Sequence, residues 1–170
     1  DIQLIADFFS AERFHARFHG RHAKVVTSFA MFYDLDDPIG FMRQIEDLLT
    51  DDGIWVFEQS YLPLMLARNA YDTVCQEHLE YYALRQILFM AQMVGLKVVD
   101  VEMNNVNGGS FSIVAARQGS KHPTNSEVLD RIQREESDLG LDGLRVFEEF
   151  ASRVSQHRSE LKQFLAQARE

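Results

Sequence analysis

Apolar residues along the 170-residue chain fall into two patterns, short continuous runs and stretches at helical spacing. Ile2 to Ile5 is a short run ending at Asp7-Phe8-Phe9, and it predicts a buried strand, begun at Asp1, whose end carries Asp7. Ser10 is placed to cap a helix from Ala11 to Phe18, with Glu12 in the first turn, where the helix dipole favours negative charge. Lys24 to Phe29 predicts a second strand, apolar or small on both faces as a central parallel strand requires. Asp34 to Pro38 then supplies a cap and a proline at a first helical position, and Phe41, Ile45, Leu48 and Leu49 continue at helical spacing. Thr50 to Gly53 reads as a turn. Ile54 to Glu58 reads as a third strand, with Glu58 and Gln59 at its carboxyl end.

Strand, helix, strand, helix, strand with short connections predicts a parallel sheet with helices on its faces. Ligands bind such sheets outside the carboxyl ends of the strands. Asp7, Ser28, Phe29, Glu58 and Gln59 are placed there. Tyr61 to Asn69 predicts a helix, with Pro63 tolerated in its first turn. Ala83 to Val94 predicts another, with Leu84, Ile87, Leu88 and Ala91 on one face and Gly95 as its stop. Leu96 to Val101 and Gly109 to Arg117 are strands with no helix between them, so they pair antiparallel. Residues 119–125 hold Gly119, Ser120 and Pro123 and mark a linker between an α/β part, 1–118, and a helical segment, 126–170. In that segment Val146, Phe147, Phe150, Val154, Leu161, Phe164 and Leu165 form an apolar stripe, read as a packing face.

Charge and composition narrow the function. Seventeen basic against 26 acidic side chains leave a net charge of −9, which argues against nucleic-acid or anionic-membrane partners. A single cysteine excludes an intrachain disulfide and fits a reducing, cytoplasmic setting. No apolar run is long enough to span a bilayer. The chain opens without Met, and Leu161 to Glu170 continues as helix with no stop signal, so a piece of a longer protein is expected.

The densest chemistry lies in Tyr71 to Tyr82, Y-D-T-V-C-Q-E-H-L-E-Y-Y. This stretch carries Glu77, Glu80, His78, Cys75 and the phenols of Tyr71, Tyr81 and Tyr82 between a strand and an apolar helix. Such a cluster suits proton transfer. The competing reading of Glu77-His78 is a solvated or capping pair. No metal site is assigned. His15 and His19 are four apart, but no third ligand is nearby and Arg13, Arg17 and Arg21 oppose a cation. Cys75, Glu77 and His78 are too close in sequence to converge on one ion without distant ligands.

The strand ending in Ser28-Phe-Ala-Met-Phe-Tyr-Asp-Leu-Asp-Asp-Pro38, then Leu-Leu-Thr-Asp-Asp-Gly53 and Ile-Trp-Val-Phe-Glu-Gln-Ser-Tyr61, resembles the second half of a class I S-adenosylmethionine-dependent methyltransferase. The Glu77-His78 stretch and Asn107-Gly-Gly109 look more specifically like the nucleotide-sugar C-methyltransferases that act on deoxysugars. The resemblance covers residues 1–118 and weakens into the helices. It implies the C-terminal part of a Rossmann-like sheet, parallel strands plus a terminal antiparallel strand, followed by helices leading toward a C-terminal domain. The family also has an N-terminal zinc-binding domain, a glycine-rich cofactor loop and a ribose-binding acid. None of these is in the sequence, so the resemblance implies a fragment, with zinc confined to the missing domain.

By the same resemblance S-adenosylmethionine is the cofactor, with Asp7 and Phe8 beside its adenine and Ser28 and Phe29 lining its cleft. A nucleotide-linked keto-deoxysugar is the substrate, met by Glu58, Tyr61, Tyr71, Tyr81, Asn107 and Gly108. His78 is the base that forms the enolate and Glu77 orients its ring or shares its proton; Tyr71, Tyr81 or Tyr82 donates to the oxyanion or contacts the sugar, with Tyr82 placed in the catalytic group. Related enzymes place Asn and His after the preceding strand, where this chain reads Ser28 to Tyr33 without either. C-, O- and N-methylation therefore stay open. So does a non-catalytic module that forms homo-oligomers through an exposed sheet edge or the helical tail.

Overall fold

A computed structural model describes residues 2–168. Asp1, read as the start of a strand, and Arg169 and Glu170, read as the end of the last helix, lie outside the described residues. The helices are α1 (Ala11–Arg17), α2 (Pro38–Leu48), α3 (Leu62–Arg68), α4 (Leu84–Met93), α5 (Ser126–Leu139) and α6 (Arg145–Gln167). The strands are β1 (Ala23–Phe29), β2 (Leu49–Ser60), β3 (Leu96–Asn104) and β4 (Ser110–Arg117), joined in one sheet in the order β1-β2-β4-β3. β1 runs parallel to β2, with Val26 opposite Trp55 and Phe29 opposite Glu58. β4 runs antiparallel to both β2 and β3. This is the expected α/β class, parallel strands closed by an antiparallel pair and followed by helices.

Local signals account for most of these elements. The Asp37 carboxylate accepts from the Gly40 amide at 2.8 Å, and Pro38 opens α2, whose Phe41, Met42, Ile45 and Leu48 are buried. Gly95 follows α4 at φ 78°, a conformation a side chain disfavours. Along β2 the residues Trp55, Phe57 and Gln59 point into the core, as does Tyr61 just beyond its end, while Ile54, Val56, Glu58 and Ser60 face the half-buried side. Trp55 and Phe57 stack with centroids 3.8 Å apart, and Phe32 lies within 5.7 Å of both. Burying side chains of this size contributes about 1.5–3 kcal/mol each. α5 joins the same core through Leu129 and Ile132.

Three expectations are corrected. Ile2 to Ile5 is not a strand: no neighbouring strand pairs with it among the described residues, and Ile2 and Leu4 are exposed. An apolar run becomes a strand only where a ladder is available. β1 is not central but an edge strand paired to β2 alone, which leaves Val25 and Phe29 exposed. Thr50 to Gly53 is no turn between elements but an excursion within β2. Ala23 faces Leu49 and Val25 faces Ile54, so the extra residues bulge from the ladder.

Candidate active site

The loop from α3 to α4 begins where Asn69 ends α3 in the left-handed conformation, φ 56°. Tyr71–Thr73 follows as a single 3-10 turn. The Thr73 side chain, buried, donates to the Ala70 carbonyl at 2.9 Å. That bond aims the Thr73 carbonyl at two donors, the His78 Nδ1 at 2.7 Å and the Tyr81 hydroxyl at 3.3 Å. A carbonyl only accepts, so the Nδ1 of His78 carries the hydrogen. In the neutral ring Nε2 is then the free lone pair. The imidazole packs on Tyr33, with ring centroids 4.3 Å apart. The Tyr33 carbonyl in turn accepts from the amides of Leu79 and Glu80 at 3.0 and 3.1 Å. Tyr33 thus braces the loop by backbone and ring together.

Burial, the neighbouring Asp34 and Cys75 raise the pKa of Tyr33. Burial and Cys75 raise that of Tyr81. Both phenols therefore stay protonated, as donors, through the neutral range. The Tyr82 hydroxyl is buried without a partner, and burial followed by Glu80 pushes its pKa up to about 12. The Tyr61 pKa is raised further, by burial and by the Glu136 carboxylate that its hydroxyl meets at 2.8 Å.

The expected residues divide between several places. His78, Tyr81 and the start of the loop at Tyr71 belong to one cluster. Tyr82 turns instead into the core, 5.4 Å from the Phe32 ring, and pairs with Tyr61 as an isolated parallel bridge. Glu77 is exposed, and the partner of His78 Nδ1 is the Thr73 carbonyl. Tyr33 and Thr73 were not singled out by sequence. Tyr33 lies 45 positions before His78, and Thr73 acts through its backbone, which residue type does not reveal.

At the carboxyl end of β1, Ser28, half-buried, accepts from the Trp55 indole at 3.0 Å. Phe29 is 56% exposed and Phe8 93%. The Asp7 carboxylate accepts from the Phe8 amide at 2.8 Å and pairs with Arg13. Glu58 accepts from Asn104 at 2.7 Å. Gly108 offers its carbonyl to Arg68 at 3.1 Å, and Asn107 is exposed at φ 49°. Tyr61, Leu64, Arg68, Met103, Asn104, Asn105 and Glu135 line a cavity of about 210 Å³ at this end of the sheet. His15 meets the Arg21 carbonyl at 3.2 Å and Asp47 at 3.0 Å; no metal-binding group of three His, Cys, Asp or Glu forms among the described residues. No helix among them is long and apolar enough to cross a membrane.

Residues 105–170 match a family described as a C-methyltransferase C-terminal domain. The C-methyltransferase NovU of Streptomyces niveus is 29% identical over 143 residues, covering 84% of this chain and 34% of its own length. The chain thus spans about a third of that relative. Among solved structures, a pericyclic reaction enzyme aligns at 16% identity and TM-score 0.49 over 58% of this chain and 27% of its own. The mitomycin 7-O-methyltransferase MmcR aligns at 11% identity and TM-score 0.45 over 57% and 30%. Residues 3–101, more than half of the sequence, match a family described as a methyltransferase domain, and the chain belongs to that family.

Proposed function

We propose that this chain is part of an S-adenosylmethionine-dependent C-methyltransferase that acts on a nucleotide-linked keto-deoxysugar, with His78 as the base. The observation that carries the reading is the 2.7 Å bond from His78 Nδ1 to the Thr73 carbonyl, which leaves Nε2 to accept a proton. An imidazole is suited to this work because its ordinary pKa lies near neutrality. Removing a proton from the carbon beside a ketone would leave an enolate, whose electron pair would form the new carbon–carbon bond while the methyl–sulfur bond of the sulfonium breaks and the sulfur leaves as a neutral thioether. The proton stays on His78 Nε2 until solvent takes it. The developing enolate oxygen calls for a hydrogen-bond donor, and the Tyr81 hydroxyl is the phenol at hand once its one hydrogen turns from the Thr73 carbonyl, 3.3 Å away, to that oxygen. Tyr82 donates only where a rotation brings its unpartnered hydroxyl out of the core.

The cofactor supplies an electrophilic methyl group. We assign its adenine end to Asp7, Phe8 and Phe29 on their chemistry. Phe8 and Phe29 expose aromatic faces for a purine, and Asp7 offers a carboxylate to an exocyclic amine. No glycine-rich turn in the chain takes the methionine end. The chain is then one part of a longer enzyme, cytoplasmic, with the sugar nucleotide as its partner. In the longer protein, His78→Gln should lower methyl transfer by about 10²- to 10⁴-fold while cofactor binding is kept. Turnover close to the parent's would remove His78 from the role.

The exposed outer edge of β1, with Val25 and Phe29 on it, favours a second reading, in which this chain alone self-associates through that edge. Light scattering separates the two: Val25→Lys should convert an oligomer to a monomer, and a parent that is already monomeric rules this reading out.

A further inference from the structure

The last helix reaches the candidate loop through a side-chain hydrogen bond. The Tyr71 hydroxyl and His157 Nδ1 lie 2.7 Å apart, with ring centroids at 5.8 Å. One turn earlier on α6, Arg153 donates to the Leu66 carbonyl at 2.7 Å. Residues four apart share a helix face, so Arg153 and His157 grip the chain together. Leu66 lies in the last turn of α3, where carbonyls lose their helical partners. α6 is itself seated by Val146, which is buried, and by Phe147 and Phe150, which pack on the core; the Arg153 guanidinium lies over the Phe150 ring at 6.0 Å.

We infer that His157 is a positioning residue for His78, acting through the Tyr71–Thr73 turn; this rests on the reading of His78 as the base. The path is continuous and short. Tyr71 opens the turn, and its carbonyl accepts from the Val74 amide at 3.1 Å. Thr73 closes it and presents the carbonyl that holds His78 at 2.7 Å. A single residue, Asp72, separates Tyr71, whose hydroxyl His157 holds, from Thr73, whose carbonyl sets the His78 tautomer. Besides the grip of α6, the turn is held by the Thr73 bond to Ala70, by local backbone bonds, and by the His78 and Tyr81 donors that meet the Thr73 carbonyl. Sequence reading assigns α6 a packing stripe; the bond adds a polar contact from its other residues to the chemistry of the loop. The C-terminal helix thereby couples the part of the protein beyond the sheet to the geometry of the base.

Three variants of the full chain test this, read first without cofactor or substrate. His157→Ala should speed exchange of the Val74 amide roughly two- to tenfold, the worth of one exposed hydrogen bond. Nitrogen-15 shifts of the His78 ring should move from the Nδ1-H form toward a mixture of tautomers. His157→Asn, whose side-chain amide can reach the Nδ1 position, should restore both readings. Tyr71→Phe, which removes the hydroxyl alone, should reproduce the alanine result with the fold intact by circular dichroism. Unchanged exchange and unchanged His78 shifts in His157→Ala overturn the inference, as does failure of asparagine to restore them. Neither readout requires turnover. An active His78→Gln enzyme would sink the base assignment while the coupling stands, so the two failures remain distinct. Where turnover is measured in the longer protein, His157→Ala should lower kcat and leave cofactor binding unchanged.

Discussion

The Glu136 carboxylate, on α5, accepts the Tyr61 hydroxyl at 2.8 Å, although 75 positions separate the two residues. The same carboxylate accepts the amides of Leu84 and Arg85 at 2.6 and 3.1 Å, so it caps α4 from another helix. α4 has no side-chain cap of its own beyond Gln86, which accepts from the Ala83 amide at 3.1 Å. Glu136 is 2% exposed, and three donors face it. A buried carboxylate at a helix N-terminus is stabilised by the amides and by the dipole. Glu136→Ala leaves those donors bare and should cost about 3 kcal/mol, read as a fall in the urea midpoint. Glu136→Gln keeps one acceptor oxygen and should cost about 1 kcal/mol. Equal midpoints for the parent and the alanine variant would contradict this account.

Alkaline stability should report on Tyr82. Its pKa is raised to about 12 by burial and then by Glu80. The folded state therefore holds the phenol proton more tightly than the unfolded chain, whose tyrosine titrates near 10. The stabilisation is complete below pH 10 and is lost as the pH rises from there toward 12. Urea unfolding at pH 9 and pH 11.5 should show a smaller loss for Tyr82→Phe than for the parent. At pH 7 the same variant should be neutral or slightly stabilising, because the hydroxyl it removes is buried without a partner.

Gly109 is at φ 130°, and a Cβ added there would stand 2.6 Å from the Leu64 Cβ. Side chain and backbone are both refused at this position. Gly109→Ala should push α3 away from the start of β4 and lower stability by about 2 kcal/mol or more. Thermal unfolding checks the size, and the shift of α3 should broaden the amide signals of the Tyr71–Thr73 turn.

Tyr33 holds His78 by its ring. Tyr33→Phe keeps the packing and should leave turnover of the longer protein within about twofold. Tyr33→Leu removes the aromatic contact and should lower kcat about tenfold, the worth of one such ring pair. A leucine variant as active as the phenylalanine one would show that the contact does not matter for the reaction.

Much of the fold was written locally. Asp37 and Pro38 start α2, Gly95 ends α4, and Asn125 and Gly140 bound α5. The spacing of Phe41, Ile45 and Leu48, or of Trp55 and Phe57, states which side of each element is buried. Nearest neighbours along the chain decide such features, so one sequence suffices to read them. Glu77-His78 stood out for the same reason, as residue types brought together by a few peptide bonds. What holds His78 did not, because its partners are a backbone carbonyl at Thr73 and a ring at Tyr33 that only the packed loop brings near. Ile2 to Ile5 carries the composition of a strand, yet a strand needs a ladder, and no neighbour offers one among the described residues. The bonds of Glu136 to Leu84 and of His157 to Tyr71 likewise span 52 and 86 positions. At those separations the chain sets no distance between two side chains, and only the collapse of the helices onto one sheet brings them into contact.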